Sequence, residues 1–315
     1  RMDKKKGAFR TSIGGQALIE GILMRGPEKD AIVVRSPEGL VTKVTERKLT
    51  RANYPILGVP IIRGAVTFLG SMITGVKALM FSADYFHEDE NAKPDKVEEW
   101  LEKHVPADKL QNLLVVFSVI LSIGMMLVLF MLLPTFLAGL FHAQSAAVHN
   151  IIEGVVKVLV LLGYMILCSR QKDVHRVFCY HGAEHKTIFC YEAGEDLTVE
   201  NVRKQGRFHP RCGTSFMFVL IIIATIVSSI VFSIIDITNP FLRMLAHLIL
   251  LPLVVGISYE FNRYAGRSES VISRALRWPG LMIQHLTVFE PDDSMIEVAI
   301  TAMKEVIPDD GSDEW

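Results

Sequence analysis

Four long apolar runs dominate the chain between residues 113 and 259. They are residues 113–133, 148–168, 215–235 and 241–259. The first and third carry no charged residue, and each of the other two carries at most two. An α-helix needs about 20 apolar residues to cross the hydrocarbon core of a bilayer. The pattern therefore predicts four transmembrane helices.

The first 55 residues have a different pattern, in which short β-branched stretches alternate with turn residues. Residues 31–35 and 40–45 favour strands, and the Ser-Pro-Glu-Gly sequence at 36–39 favours a hairpin between them. Gly14 and Gly15 precede a further extended stretch over 16–25. Together these stretches predict a small antiparallel sheet.

Residues 56–80 have apolar side chains at steps of three and four, separated by small or polar residues. This period is typical of an amphipathic helix. Beside four transmembrane helices, such a helix is expected along the inner membrane surface. Packing against the soluble sheet and full insertion into the membrane are the alternatives.

These patterns define an α-helical integral membrane protein with four transmembrane helices, a small cytoplasmic β-containing N-terminal domain and an amphipathic interfacial helix. Its predicted segments are a β-rich region at 1–55, the interfacial helix at 56–83, a charged linker at 84–112, the transmembrane domain at 113–261 with a loop at 170–214, and a helical C-terminal segment at 262–315. In the last segment a break is expected at residues 278–280. Ser294 and Glu297 form a predicted capping box that opens a short helix ending near residue 306.

The composition narrows the class of protein. Half of the residues are hydrophobic, 21% are charged and the mean hydropathy is +0.33. These values exclude a disordered chain and argue against an ordinary soluble enzyme. The net charge of −1 argues against a general nucleic-acid binder.

The distribution of Lys and Arg predicts the orientation. Residues 1–110, the loop at 170–214 and the region after residue 259 are rich in both, whereas residues 134–147 contain neither. Basic loops remain in the cytoplasm, so both termini and the 170–214 loop are expected there. The four cysteines lie in or beside this loop, where thiols stay reduced. Disulfides are therefore not expected, and metal binding is the alternative.

The 170–214 loop contains the residues that best fit a metal centre. His181 and His185 are one helical turn apart, so both imidazoles can bind one ion, and Glu184 lies beside them. This H-x-x-E-H order occurs in zinc proteases, in which the carboxylate accepts a proton from water activated by the metal. His209 and Cys212 form a second pair, and imidazole and thiolate are preferred zinc ligands. Zinc is the expected cofactor.

Two arrangements of this centre remain open. Four ligands (His181, His185, His209 and Cys212) would make a closed structural site, whereas three ligands and a water would make an open catalytic site. Glu184 as general base favours catalysis, unless it is itself a ligand. Cys179 and Cys190 flank the motif and are alternative ligands, while Cys168 is expected to be structural. Ordinary surface histidines are the simplest alternative.

The chain resembles the YqhQ-like bacterial membrane proteins, a family of unknown function catalogued as predicted metal-dependent enzymes. The resemblance rests on Gly14-Gly15-Gln16-Ala17, Glu20-Gly21, Met24-Arg25, the run from His181 to Lys186, the run from His209 to Ser215, Tyr259-Glu260, Thr287, Glu290-Pro291 and Glu297-Val298-Ala299. It implies a multi-pass protein of the bacterial cytoplasmic membrane and a metal-dependent activity. It implies no particular reaction.

Five further polar residues are candidates for the same site. Glu260 and Arg263, at the cytoplasmic end of the fourth predicted span, are either a structural ion pair or an extension of the site. Glu20 and Arg25 either face the same pocket or pair within the sheet. Glu290 is a candidate ligand, although a structural role at the start of a helix is the simpler interpretation.

Charged residues also lie inside the predicted membrane domain. Glu153 and Lys157 are four residues apart on one helix face, and each costs roughly 3 kcal/mol to insert unless it is paired. A structural pair is expected, with a polar path for ions or substrate as the alternative. His247 is expected to form an interhelical hydrogen bond.

Three functions therefore compete. The first is a metal-dependent hydrolase at the cytoplasmic membrane face, acting on a lipid or a membrane protein. The second is a non-enzymatic scaffold, regulator or transport component with structural zinc. The third is a channel or carrier that uses Glu153, Lys157 and His247.

Overall fold

The computed structural model describes residues 9–47, 55–85, 107–141, 145–235, 237, 239–267 and 270–314. It is mostly helical, with a small antiparallel sheet near the N-terminus. Most of the predicted charged linker at 84–112 lies outside the described residues, as do residues 1–8 and 48–54 of the predicted β-rich segment.

Four strands form the sheet in the order of the sequence. They are β1 (Gly14–Leu18), β2 (Gly21–Arg25), β3 (Lys29–Ser36) and β4 (Gly39–Glu46), each antiparallel to the next. The predicted hairpin is confirmed, with Ser36 paired to Gly39. The stretch over 16–25 was expected to be one extended segment, which is wrong. It turns back on itself at Glu20, whose φ of 48° lies in the left-handed region.

Ten α-helices lie in the described part of the chain. They are α1 (Ile62–Ala83), α2 (Ala107–Leu127), α3 (Leu133–Gly139), α4 (Ala146–Ser169), α5 (Lys172–Glu192), α6 (Val199–Arg203), α7 (Gly213–Ile234), α8 (Pro240–Arg267), α9 (Val271–Thr287) and α10 (Asp293–Val306). A π-helical turn, Val128–Leu132, joins α2 to α3, and a short 3₁₀ helix, Pro55–Gly58, precedes α1.

Five helical segments are long and apolar enough to cross a membrane. They are Ile62–Ala83, Val116–Gly139, Ala147–Ser169, Phe216–Ile234 and Pro240–Ala265. The last four correspond to the four predicted spans. The first is α1, which the sequence pattern assigned to the membrane surface. These segments are those expected of a multi-pass membrane protein.

Two details of the C-terminal segment differ from expectation. The break predicted at residues 278–280 is wrong, because α9 continues through Pro279. A proline inside a helix removes one backbone hydrogen bond and kinks the helix without always ending it. The predicted capping box is also wrong. Asp292 caps α10 by accepting a hydrogen bond from the Met295 amide at 3.0 Å, and Glu297 instead pairs with Arg35.

The chain divides into two compact units. The first contains the sheet, α1, α5, α6, α9, α10 and the adjoining parts of α4, α7 and α8. Its core lies between the sheet and helices α5 and α10, and is built from apolar side chains that include Ile22, Met24, Val33, Tyr180, Ala183, Ile296, Ala299 and Met303. This packing fixes α5, which carries the H-x-x-E-H motif, against β1 and β2.

Helix α1 packs on the sheet through its small and polar residues. Arg25 in β2 donates a hydrogen bond to the Ser71 hydroxyl at 2.8 Å, and Gln16 in β1 lies directly against Gly75. Further along α1, the Lys43 ammonium lies 4.7 Å from the ring centre of Phe81. The opposite face is apolar and exposed, with Leu69, Met72, Ile73, Val76 and Met80.

The second unit contains α2, α3 and the remaining parts of α4, α7 and α8, and its buried charges form one cluster. The predicted pair is confirmed, with the Lys157 ammonium 2.8 Å from the Glu153 carboxylate. The predicted interhelical hydrogen bond of His247 is also confirmed, since its Nε2 lies 2.8 Å from the same carboxylate. Arg243 at 3.0 Å, the Thr135 hydroxyl at 3.1 Å and the His149 Nε2 at 3.9 Å also surround the Glu153 carboxylate.

Candidate metal centre

Two histidines and one cysteine bring their donor atoms together in the first unit. His181 and His185 project from the same side of α5, and Cys212 immediately precedes α7. One donor atom from each residue lies within 4.8 Å of the other two. The His181 Nε2 and Cys212 Sγ are 3.1 Å apart. Two ligands bound to one zinc at ordinary bond lengths and a tetrahedral angle are roughly 3.5 Å apart. The spacing of these donor atoms therefore fits a zinc-sized ion.

Backbone carbonyls hold the two imidazoles in place. The His181 Nδ1 lies 2.9 Å from the Thr287 carbonyl oxygen, and the His185 Nδ1 lies 2.6 Å from that of Arg207. Because a carbonyl only accepts hydrogen bonds, each Nδ1 must carry the proton. Each Nε2 then has its lone pair available, which is the arrangement commonly found around metal-bound histidines.

Close packing at Gly182 fixes the start of this motif. A Cβ at this position would lie 2.0 Å from the Phe289 carbonyl oxygen. Only glycine lets α5 approach the segment after α9 so closely. The same approach brings the Thr287 carbonyl to His181.

Glu184 lies beside the three donors without belonging to their group. Its side chain is buried, lines the same cavity and accepts a hydrogen bond from the Gly15 amide of β1. Burial raises the pKa of this carboxyl, with His181 and the Gly15 amide opposing the shift. A Cβ at Gly15 would lie 2.9 Å from the Glu184 carboxyl carbon, so strand and carboxylate meet closely.

His209 lies in the cavity wall outside the group of three donors. Its ring centre is 5.5 Å from that of His185, and its Nε2 is 3.8 Å from the Glu192 carboxylate and 3.3 Å from Arg211. Its backbone is held on both sides by Gln284, at 2.9 and 2.8 Å. Burial lowers the pKa of His209 to about 4, against the opposing effect of Glu192.

The other cysteines are also outside the group. Cys190 is buried and its thiol faces the Asp196 carbonyl oxygen at 3.6 Å. Burial raises the pKa of the Cys190 thiol to about 11, and burial also raises the pKa of Cys179. Metal binding requires the thiolate, so neither environment favours it.

Glu20 and Arg25 have partners within the sheet and its neighbours. The Glu20 carboxylate pairs with Arg176 at 2.6 Å and accepts a hydrogen bond from the Tyr180 hydroxyl at 3.2 Å. Arg25 pairs with Asp30 at 3.3 Å. These contacts anchor α5 to the turn between β1 and β2 and fix the end of β2, and neither residue lines the cavity.

Two of the three remaining candidates, Glu260 and Glu290, form ion pairs. Glu260 pairs with Arg63 of α1 at 2.6 Å, while Arg263 interacts with the same carboxylate electrostatically. Glu290 pairs with Lys186 and, at 3.2 Å, with Arg207. Glu290 therefore supports the residues around His185.

A cavity of about 700 Å³ joins the donor group to the apolar helices. Its lining combines His181, Glu184, His185, His209 and Cys212 with Thr67 of α1, Met217 of α7 and Tyr259 of α8. The three last residues belong to candidate membrane spans. The cavity is therefore polar around the donor atoms, and it is also bordered by helices that are apolar enough to contact lipid.

Sequence reasoning missed the groups that orient the donors. The carbonyls of Thr287 and Arg207 carry no sequence signal for this role, because every residue has a backbone carbonyl. Gly15 was noted only as part of the family resemblance and of the glycine pair that precedes the stretch over 16–25.

Fold and site define a multi-pass helical membrane protein with a His–His–Cys donor cluster next to a buried carboxylate. Residues 59–309 match the family described as "Protein of unknown function (DUF1385)". The chain is 34% identical over 304 residues to the "Uncharacterized protein YqhQ" of Bacillus subtilis (strain 168), an alignment that covers 93% of this chain and 92% of the relative. The chain belongs to this YqhQ-like family. No solved structure gives a significant match.

Proposed function

We propose that this protein is a membrane-embedded, metal-dependent enzyme that holds zinc through His181, His185 and Cys212. The observation that carries the proposal is the convergence of the three donor atoms within 4.8 Å, with both Nδ1 atoms facing carbonyls. Three protein ligands leave one position of a tetrahedral zinc open, which is the usual difference between catalytic and structural sites.

The chemistry that fits these residues is hydrolysis. Zinc, when bound, supplies a Lewis acid that lowers the pKa of water and polarises a carbonyl or phosphoryl oxygen. Glu184 is the carboxylate in the same cavity, and the Gly15 amide fixes its position. It is assigned as the general base, which takes the proton from the attacking water and passes it to the leaving group.

A substrate from the membrane fits the cavity better than a fully soluble one. The cavity borders Thr67, Met217 and Tyr259, all on candidate spans. Its volume of about 700 Å³ accommodates a polar headgroup with the adjoining part of a chain, or a peptide segment. A lipid or a membrane protein is therefore the proposed substrate.

The proposed topology has four spans, with α1 along the inner membrane surface. The support is that α1 packs near its start on the Gly256–Tyr259 part of α8 and over its second half on the polar sheet. The distribution of Lys and Arg supports a cytoplasmic location for the sheet, the candidate metal centre and both termini. An impermeant maleimide should label Gly58→Cys and Asp84→Cys from that same side. Labelling from opposite sides would mean that α1 crosses the membrane.

A scaffold with structural zinc is the competing function, and it requires a fourth ligand. His209 is the residue available for that role. Its contacts with Glu192 and Arg211 favour the open site instead.

The zinc ligands are tested by metal content. We expect about one zinc per chain in the purified wild type, and loss of most of it in His181→Ala and Cys212→Ser. Cys168→Ser is the matched control, because it makes the same thiol-to-hydroxyl change outside the donor group and should keep its zinc. Mass spectrometry of acid-digested protein measures the content. Wild-type protein without stoichiometric metal would contradict the proposal.

A further inference from the structure

Helix α9 follows directly after a candidate membrane span. The span Pro240–Ala265 ends inside α8, α8 ends at Arg267, and α9 begins at Val271. The connection from Arg267 to Val271 is four residue steps long and extends at most about 14 Å. A headgroup layer is roughly 5–8 Å thick on each side of the hydrocarbon core. If α8 crosses the membrane, α9 therefore starts within or beside that layer.

One face of α9 is exposed and has an unusual composition. Val271, Arg274, Trp278 and Met282 follow one another at steps of three or four residues, and all are exposed. The exposed fractions are 74% for Val271 and 60% for Trp278. Large exposed apolar side chains mixed with Arg and Trp are typical of helices that lie in the membrane interface.

The opposite face of α9 is buried in the first unit and touches the candidate metal centre. Gln284 makes two hydrogen bonds to the backbone of His209, at 2.9 and 2.8 Å. The Thr287 carbonyl oxygen lies 2.9 Å from the His181 Nδ1. One side of α9 therefore contacts the candidate metal centre, and the other side is exposed and largely apolar.

We infer that α9 lies in the membrane interface with Val271, Trp278 and Met282 in contact with lipid. Lipid is the occupant because the helix begins at most about 17 Å along the chain from the end of a candidate span, where the membrane is the nearest apolar medium. Arg274, between the apolar residues, is placed to interact with anionic headgroups. This inference does not require the proposed zinc or hydrolase.

The consequence concerns the metal centre. Through Gln284 and Thr287, a single helix connects the proposed lipid contact to His181 and to the His209 segment. The site is therefore fixed at a set depth relative to the membrane surface, which suits a substrate presented at that surface.

Fluorescence quenching by brominated lipids tests the inference. Trp100→Phe and Trp315→Phe together leave Trp278 as the one tryptophan of the chain. In nanodiscs of phosphatidylcholine and phosphatidylglycerol, we expect at least twofold quenching of Trp278 when bromines are near the glycerol end of the acyl chains. Quenching should be weaker when they are deep in the bilayer. The control adds Trp278→Phe and Glu38→Trp, and its tryptophan, in an exposed turn of the sheet, should not be quenched.

Two outcomes would overturn the inference. Equal emission in brominated and ordinary lipid would mean that this face of α9 contacts water or protein. A blue-shifted emission spectrum would then indicate protein, either a second copy of this chain or another protein. Strongest quenching by deep bromines would put α9 in the hydrocarbon core instead. Neither outcome alters the zinc content, so failure here is distinguishable from failure of the proposed function.

Discussion

Replacement of Glu184 by Gln should lower the turnover of substrate by on the order of 10²–10⁴-fold, the usual contribution of a general acid–base residue. The amide has nearly the same shape as the carboxylate, so it preserves the packing against Gly15 but cannot accept a proton. Glu184 lies outside the three donors, so the zinc content should stay at the wild-type level.

The assay for Glu184→Gln begins with a panel of chromogenic acyl esters, phosphate monoesters and phosphodiesters presented in mixed micelles. The class that wild-type protein hydrolyses then serves for the comparison. Glu200→Gln, an exposed change at the start of α6, is the matched control and should keep full activity. Full activity of Glu184→Gln would remove Glu184 from the mechanism. Loss of zinc together with activity would make Glu184 a ligand.

Replacement of Glu153 by Leu should destabilise the second unit by about 3–5 kcal/mol, the cost typical of removing one partner from a buried ion pair. Glu153 is 2% exposed and is the shared partner of Lys157, Arg243 and His247. Its removal leaves two cationic groups without this counter-charge in an apolar bundle. The free energy of unfolding in bicelles, measured by steric trapping, is the readout.

Lys157→Met is the informative comparison for Glu153. It removes one cation but leaves Glu153 paired with Arg243, so its destabilisation should be clearly smaller. Zinc content should be unchanged in both variants, because this cluster and the metal centre belong to different units. Equal destabilisation by the two substitutions would mean that Glu153 is not the common counter-charge of the cluster.

Local patterns predicted the parts of the fold that depend on nearby residues. The four apolar runs, the hairpin at 36–39 and the helical spacing of His181 and His185 each follow from a short stretch of sequence. The turn at Glu20 was missed, because its left-handed backbone has no glycine to mark it and is supported by distant Arg176 and Tyr180. The position of α1 was ambiguous, because its length and composition suit both a span and a surface helix.

The sequence predicted the types of residue in the candidate site better than it predicted which of them come together. His181, His185 and Cys212 come together as expected, whereas the ring of His209 is engaged by Glu192 and Arg211. Spacing alone could not distinguish the two members of the second pair. What separates His209 from Cys212 is the contact of the His209 ring with Glu192 and Arg211, which only the fold brings together. Arg243 beside Glu153 was similarly missed as a partner, because its helix is distant in sequence.

We propose that three protein donors hold one zinc and leave its fourth position open. X-ray absorption at the zinc edge of wild-type protein in nanodiscs tests it most directly. We predict one sulfur at about 2.3 Å, two imidazole nitrogens at about 2.0–2.1 Å, and one further light donor without the outer-shell scattering of an imidazole. A third imidazole beside the sulfur would indicate a closed structural site and contradict catalysis, and a spectrum without sulfur would contradict the assignment of Cys212.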